Sequence, residues 1–116
     1  MKSIIFIVLF LFIGIASISY SQDTVSSKEA KNFIGEVKIV KGTVAGIFKS
    51  SKGTVLINFD EDHPNATFVA VIKNTTEVSY SEVKVGSILT ISGKIEDYKG
   101  KPEIIITEQS QILKVE

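Results

Sequence analysis

The chain has no cysteine, no tryptophan and no arginine. Without cysteine there can be no disulfide staple, thiol redox centre, zinc-thiolate site or cysteine nucleophile, so stability must come from core packing. Without arginine there is no planar fork for bidentate contacts to phosphates or base edges. The 13 basic residues are all lysines, and 13 acids balance them, so the strong basic footprint of a tight nucleic-acid binder is also missing. The single histidine, His63, belongs to no H-E-x-x-H element. No glycine loop enters a helix to cradle phosphate, and no Ser/His/acid set suggests itself. The expectation is a protein that is not an enzyme, with no cofactor and no metal.

One long hydrophobic run is present, at residues 4–18, preceded by Lys2 and followed by Ser19-Tyr20-Ser21. Basic start, apolar middle and small residues at the −3 and −1 positions make the three-part pattern of a secretory signal peptide. Cleavage before Gln22 is expected, which leaves a signal peptide at 1–21, a flexible mature N-terminus at 22–27 and one domain at 28–116. The competing reading is a retained anchor, but the run falls short of the roughly 20 apolar residues that cross a bilayer. No cysteine follows it, which excludes a lipid anchor. The expected location is the periplasm or the cell exterior, with no stable membrane insertion after cleavage.

Ser26-Ser27-Lys28-Glu29 has the S-x-x-E form of a capping box, and Ala30, Phe33 and Ile34 give an apolar face before Gly35, so a short helix is expected there. Beyond Gly35 the pattern is that of strands, at 37–48, 54–59, 67–73, 88–95, 104–107 and a last extended piece at 112–115. Alternation places Val55, Ile57, Phe59, Phe68, Ala70 and Ile72 in the core. Residues 74–85 are too irregular for a strand and suit one or two helical turns. Residues 96–102 read as a tight hairpin loop, and 60–65 as an acidic turn.

The stretch from Gly35 to Val44 repeats in the stretch from Gly86 to Ile95, in the form G-x-[VI]-x-x-[VI]-x-G-x-[VI]. A three-residue step between apolar positions breaks strict alternation. A bulge or bend near the second glycine, Gly42 or Gly93, would restore the phase where a strand curls around a small barrel.

These segments carry a family resemblance. The stretch Ala30-Lys31-Asn32-Phe33-Ile34-Gly35, the strand with Val37, Val40, Gly42 and Val44, the run Leu56-Ile57-Asn58-Phe59 with Pro64-Asn65 and Phe68, the run Ile91-Ser92-Gly93-Lys94-Ile95, and Tyr98-Lys99-Gly100-Lys101-Pro102-Glu103-Ile104 with Gln111-Ile112 resemble the bacterial OB-fold domains of the tRNA-anticodon-binding type, including exported ones and those attached to secreted nucleases. The resemblance implies an all-β, five-stranded OB-fold Greek-key barrel. It would have a short N-terminal helix and a short helix between its third and fourth strands. Asp60 stands where these domains often carry glycine, and His63 where tyrosine often precedes Pro-Asn.

An OB barrel binds single strands on its second and third strands, flanked by two loops. Phe48, Lys49 and Lys52 beside the first loop and Tyr98, Lys99 and Lys101 in the other are the candidate nucleic-acid contacts. The sheet face itself offers Leu56, Val69, Val71 and Lys73 and no aromatic ring. That suits an alternative, an envelope protein or a small ligand held on this face. The acidic turn with His63 lacks the ligand pattern of a calcium loop, and the patterns at Asn65-Ala66-Thr67 and Asn74-Thr75-Thr76 are assigned no function.

Overall fold

The computed structural model describes residues 23–116. The expected signal peptide at 1–21 lies outside the described residues. Alternating apolar and polar side chains, rich in Val, Ile, Thr and Phe, build eight strands among the described residues. They are β1 (Thr24–Ser26), β2 (Val37–Lys49), β3 (Val55–Phe59), β4 (Phe68–Ile72), β5 (Ile88–Lys94), β6 (Glu96–Tyr98), β7 (Lys101–Ile106) and β8 (Ile112–Val115). Their order across the sheet is β6-β7-β4-β3-β2-β5-β8, with β1 beside β2. Among the described residues no helix is long and apolar enough to cross a membrane.

The 13-residue β2 is the strand that curls. Its first half pairs with β5, its second half with β3, and the register shifts between Val44 and Gly46. That irregularity turns one strand into a member of both walls. It falls beyond Gly42, where the β2–β5 register runs without a break. The inward residues Val55, Ile57, Phe59, Phe68, Ala70 and Ile72 are fully inaccessible, in the register that alternation implied. Phe59 and Phe68 meet edge to face, with ring centroids 5.1 Å apart.

The repeated pattern has a physical counterpart. Val40 pairs with Ile91 at the middle of the β2–β5 ladder, and the two occupy the same position of the repeat. Its ends match as well: Gly35 N–H donates to Ile95 O at 2.7 Å and Gly86 N–H to Val44 O at 2.8 Å, while Ile95 N–H donates to Glu36 O and Val44 N–H to Ser87 O. Gly35 and Gly86 have φ of 93° and 95°, a backbone region that favours glycine. The repeat is therefore a local two-fold relation within one antiparallel pair.

The barrel wall is open between β5 and β7, and a side chain spans the opening. Gln111 Nε2 donates to Ser92 O on β5 and to Ile105 O on β7, at 3.0 and 3.1 Å. Its Oε1 accepts from the Thr107 and Glu108 N–H groups and from the Thr107 hydroxyl.

Four expectations are corrected. Part of the supposed flexible segment 22–27 is a strand, because Thr24–Ser26 pairs in parallel with Ile39, Val40 and Lys41 and buries Val25 and Ser27. Gly42 makes room for it: a β-carbon there would lie 2.1 Å from Ser27 Oγ. The N-terminal helix is only a 3₁₀ turn, Ala30–Phe33, entered through Glu29 N–H donating to Ser26 Oγ at 3.2 Å.

The helix expected between the third and fourth barrel strands does not form, and residues 74–87 make a series of turns. Asn74 Oδ1 accepts from the Thr76 N–H at 3.1 Å, and the Gln109 amide exchanges two hydrogen bonds with the Ser79 backbone. Side chains of this type compete with a helix for backbone partners, and the β-branched Thr75, Thr76, Val78 and Val83 add little helix propensity. Val78 and Val83 still reach the core. The supposed loop 96–102 is mostly paired: β6 and β7 form a hairpin whose turn is Lys99-Gly100, with φ of 52° and 87°.

Candidate binding site

Outside the core, the outward residues of neighbouring strands fall into rows. Phe48, Leu56, Val71 and Ile105 form one row across β2, β3, β4 and β7. Gly46, Asn58, Val69, Glu103 and Glu96 form the next, reaching β6. Leu56, Val69, Val71 and Ile105 pack together with Ala66 as a small apolar cluster.

Over these rows lies a groove of about 560 Å³. Leu56, Asn58, Val69 and Val71 make its floor and Glu103 continues it on β7. Tyr98, Lys99 and Lys101 form one wall, with Lys73 and His63 completing the lining. Residues proposed separately from sequence, the Tyr98 hairpin and the Leu56 face, thus belong to one site. Phe48 shares the Leu56 face and is 58% exposed, but it stands beyond the groove lining, as do Lys49 and Lys52. Asn58, His63 and Glu103 join the lining without having been read as contacts. For Asn58 and Glu103 the signal was strand parity, since Asn58 lies two residues past Leu56 and Glu103 two past Lys101, whereas His63 comes from the loop between β3 and β4.

Tyr98 is 57% exposed, its ring accompanied by the Lys99 ammonium at 5.4 Å from the centroid. Lys101 Nζ donates to Pro64 O at 2.9 Å, which ties the hairpin to the loop that carries His63. That loop is held by its own acids. Asp60, at φ 69°, has a left-handed backbone of the kind that favours glycine, and its carboxylate accepts from the Ser27 and Thr67 hydroxyls. Asp62 accepts from the His63 N–H and from Asn58 Nδ2 at 2.8 and 3.0 Å. A β-carbon on Gly46 would collide with that carboxylate, 2.1 Å from Oδ1, so the loop packs directly on the β2 backbone.

Two carboxyls shift in opposite directions. The His63 N–H, then Asn58, and more weakly the charge of His63 hold Asp62 below its ordinary value. Partial burial in the groove pushes Glu103 up, Glu96 across the hairpin adds to this, and Lys73 opposes it.

A curled all-β sheet with a groove on β3, β4 and β7 defines an OB-fold binding module. The chain belongs to the tRNA_anti-like family, whose model matches residues 19–110. Among solved structures it is similar to an OBody bound to hen egg-white lysozyme, at 19% identity and a TM-score of 0.56, over 77% of this chain and 90% of that one. A second lysozyme-bound OBody is 16% identical with a TM-score of 0.56, over 81% of this chain and 95% of the other. A Leishmania major protein assigned as an aspartyl-tRNA synthetase is 10% identical with a TM-score of 0.55, over 77% of this chain but only 20% of its own length. These likenesses concern the fold. No curated protein matches the sequence.

Proposed function

We propose that this chain is an exported, non-enzymatic module that binds single-stranded nucleic acid weakly, largely through contacts that any sequence can make. The observation that carries the reading is the groove wall: an exposed Tyr98 ring beside Lys99 and Lys101, with Lys73 also lining the groove. A base stacked on one aromatic ring gains about 1–3 kcal/mol, and lysines along the rim accommodate phosphates without reading bases. Titrating the full chain with labelled oligonucleotides at low salt tests it. Saturable binding that weakens as salt rises is expected, and no binding would sink it. Export rests on residues 1–21, and fractionation of the producing cells should recover a shortened chain outside the cytoplasm.

A second reading has its own observation. The floor, Leu56, Val69 and Val71, is apolar, which suits a protein side chain as well as a base. The OBodies show that a protein of this fold can hold a protein. Crosslinking in the envelope fraction would reveal such a partner.

A further inference from the structure

The groove contains one group that a phosphate-binding surface should not have. Glu103 lies on the floor side of Lys101, directly across the hairpin from Glu96. The ion pairs among the described residues join Lys38, Lys41 and Lys114 to Asp23, Glu36 and Glu116, and none engages Glu103. It is a partly desolvated acceptor without an ion-pair partner, and its raised pKa reports that desolvation. Two carboxylates on adjacent strands repel a phosphate. A bound strand must therefore run its backbone along Lys73, Lys99 and Lys101 and turn its bases toward the floor.

Register places the Tyr98 ring and Glu103 on one face as diagonal neighbours, since Tyr98 pairs with Lys101 and Glu96 with Glu103. Such neighbours are about 7–8 Å apart, a span that a base stacked on the ring can bridge with its edge. The carboxylate offers two acceptors side by side. Guanine answers with two adjacent donors, N1–H and the N2 amino group. Adenine and cytosine set one amino donor beside a ring-nitrogen acceptor, and uracil sets one N–H between two carbonyls, so each turns an acceptor toward the second oxygen.

We infer that Glu103 makes this groove selective for guanine at one position, with Tyr98 as the stacking partner and the Glu103 carboxylate accepting from N1–H and N2–H. The inference rests on the nucleic-acid reading of the groove and adds base choice to it.

The test is anisotropy titration of the full chain with labelled hexauridylates carrying one central guanosine, inosine, adenosine or cytidine. Inosine keeps N1–H and lacks the amino group. The guanosine hexamer should bind about tenfold tighter than the inosine hexamer, the size of one good bidentate contact. In E103Q that advantage should fall below about twofold while binding itself persists. Equal affinity for guanosine and inosine would overturn the inference and leave the groove reading intact. So would an E103Q variant that binds every hexamer more tightly by the same factor, since Glu103 would then only repel phosphate. If no hexamer binds at all, this inference and the nucleic-acid reading both fall.

Discussion

Gly93 stands so close to Gln111 that a β-carbon on it would lie 3.0 Å from the Gln111 side-chain nitrogen, and 2.7 Å from a methyl carbon of Ile104. The glycine is what lets β5 and β7 approach near enough for one amide to reach both. G93A should therefore push the two walls apart. A loss of about 1–3 kcal/mol is expected, in the range of an overpacked core position, and urea unfolding of the full chain would measure it.

Removing the amide itself should have a different signature. Q111A leaves the Ser92 and Ile105 carbonyls without their bridge and frees the Thr107 and Glu108 N–H groups, at an expected cost of about 1–3 kcal/mol. Hydrogen exchange should speed up locally at Thr107 and Glu108 and along β5 and β7, while the β3–β4 ladder stays protected. Uniform acceleration across the whole sheet would refute a local seam.

Asp60 combines a left-handed backbone with two accepted hydroxyl hydrogen bonds. D60G keeps the backbone comfortable and loses the bonds, whereas D60A loses the bonds and adds strain. The expected order of stability is wild type, then D60G, then D60A, with the last about 2 kcal/mol below the first. Equal stability of D60A and D60G would show that the φ angle is of no account.

The two shifted carboxyls give opposite pH dependences. Asp62 is held below its unfolded value, so its contribution is complete above about pH 4 and disappears as pH falls through the folded value. Its replacement, D62A, should be less stable than wild type at neutral pH and converge with it in acid. Glu103 is raised, so its contribution is full below its unfolded value near 4.3 and lost as pH rises through the folded value. E103Q should thus be the more stable protein at pH 7, with the advantage shrinking as pH falls through the folded value and gone below about pH 4. Stability measured against pH for the two variants would separate these signs.

For binding, Y98A should weaken every oligonucleotide by about 1–3 kcal/mol with an unchanged salt slope. K99A and K73A should instead lower the slope by about 0.7 per lysine, the counterion release expected for a single strand. K101A should do more than remove a charge, because the Lys101–Pro64 link also goes and the loop carrying His63 loses its tie to the hairpin. K49A and K52A, whose side chains lie outside the groove lining, should leave the slope nearly unchanged. A large effect at Lys52 would move the site toward the first loop.

The sheet face was legible because strand parity is a strict rule. Once Phe59 and Phe68 are inside, Leu56, Val69 and Val71 must be outside, whatever the rest of the chain does. The repeat from Gly35 and from Gly86 was visible as text, but its meaning as a two-fold hydrogen-bond arrangement needed the two strands side by side. Residues 74–85 have the length for a connecting helix but lack the partners to form one. The Asn74 turn and the Gln109 clamp on Ser79 settle that segment, and the clamp comes from a residue 30 positions away. Strand β1 escaped notice for a related reason: its three residues have no pattern of their own, and they are ordered by the space that Gly42 leaves on β2.

By itself the sequence determined the faces of the central strands, the core phenylalanines and the absence of any thiol chemistry, since each depends on residue type and local periodicity alone. Tertiary structure decided which exposed residues share a site. It separated Phe48, Lys49 and Lys52 from the groove lining and joined Tyr98, Lys99 and Lys101 to the face of Leu56, Val69 and Val71. It also set Glu103 beside them, because β4 and β7 pair in parallel across a sequence gap that no local pattern can bridge. A glutamate three residues beyond a turn reads as a solvated surface charge until the strand next to it is known.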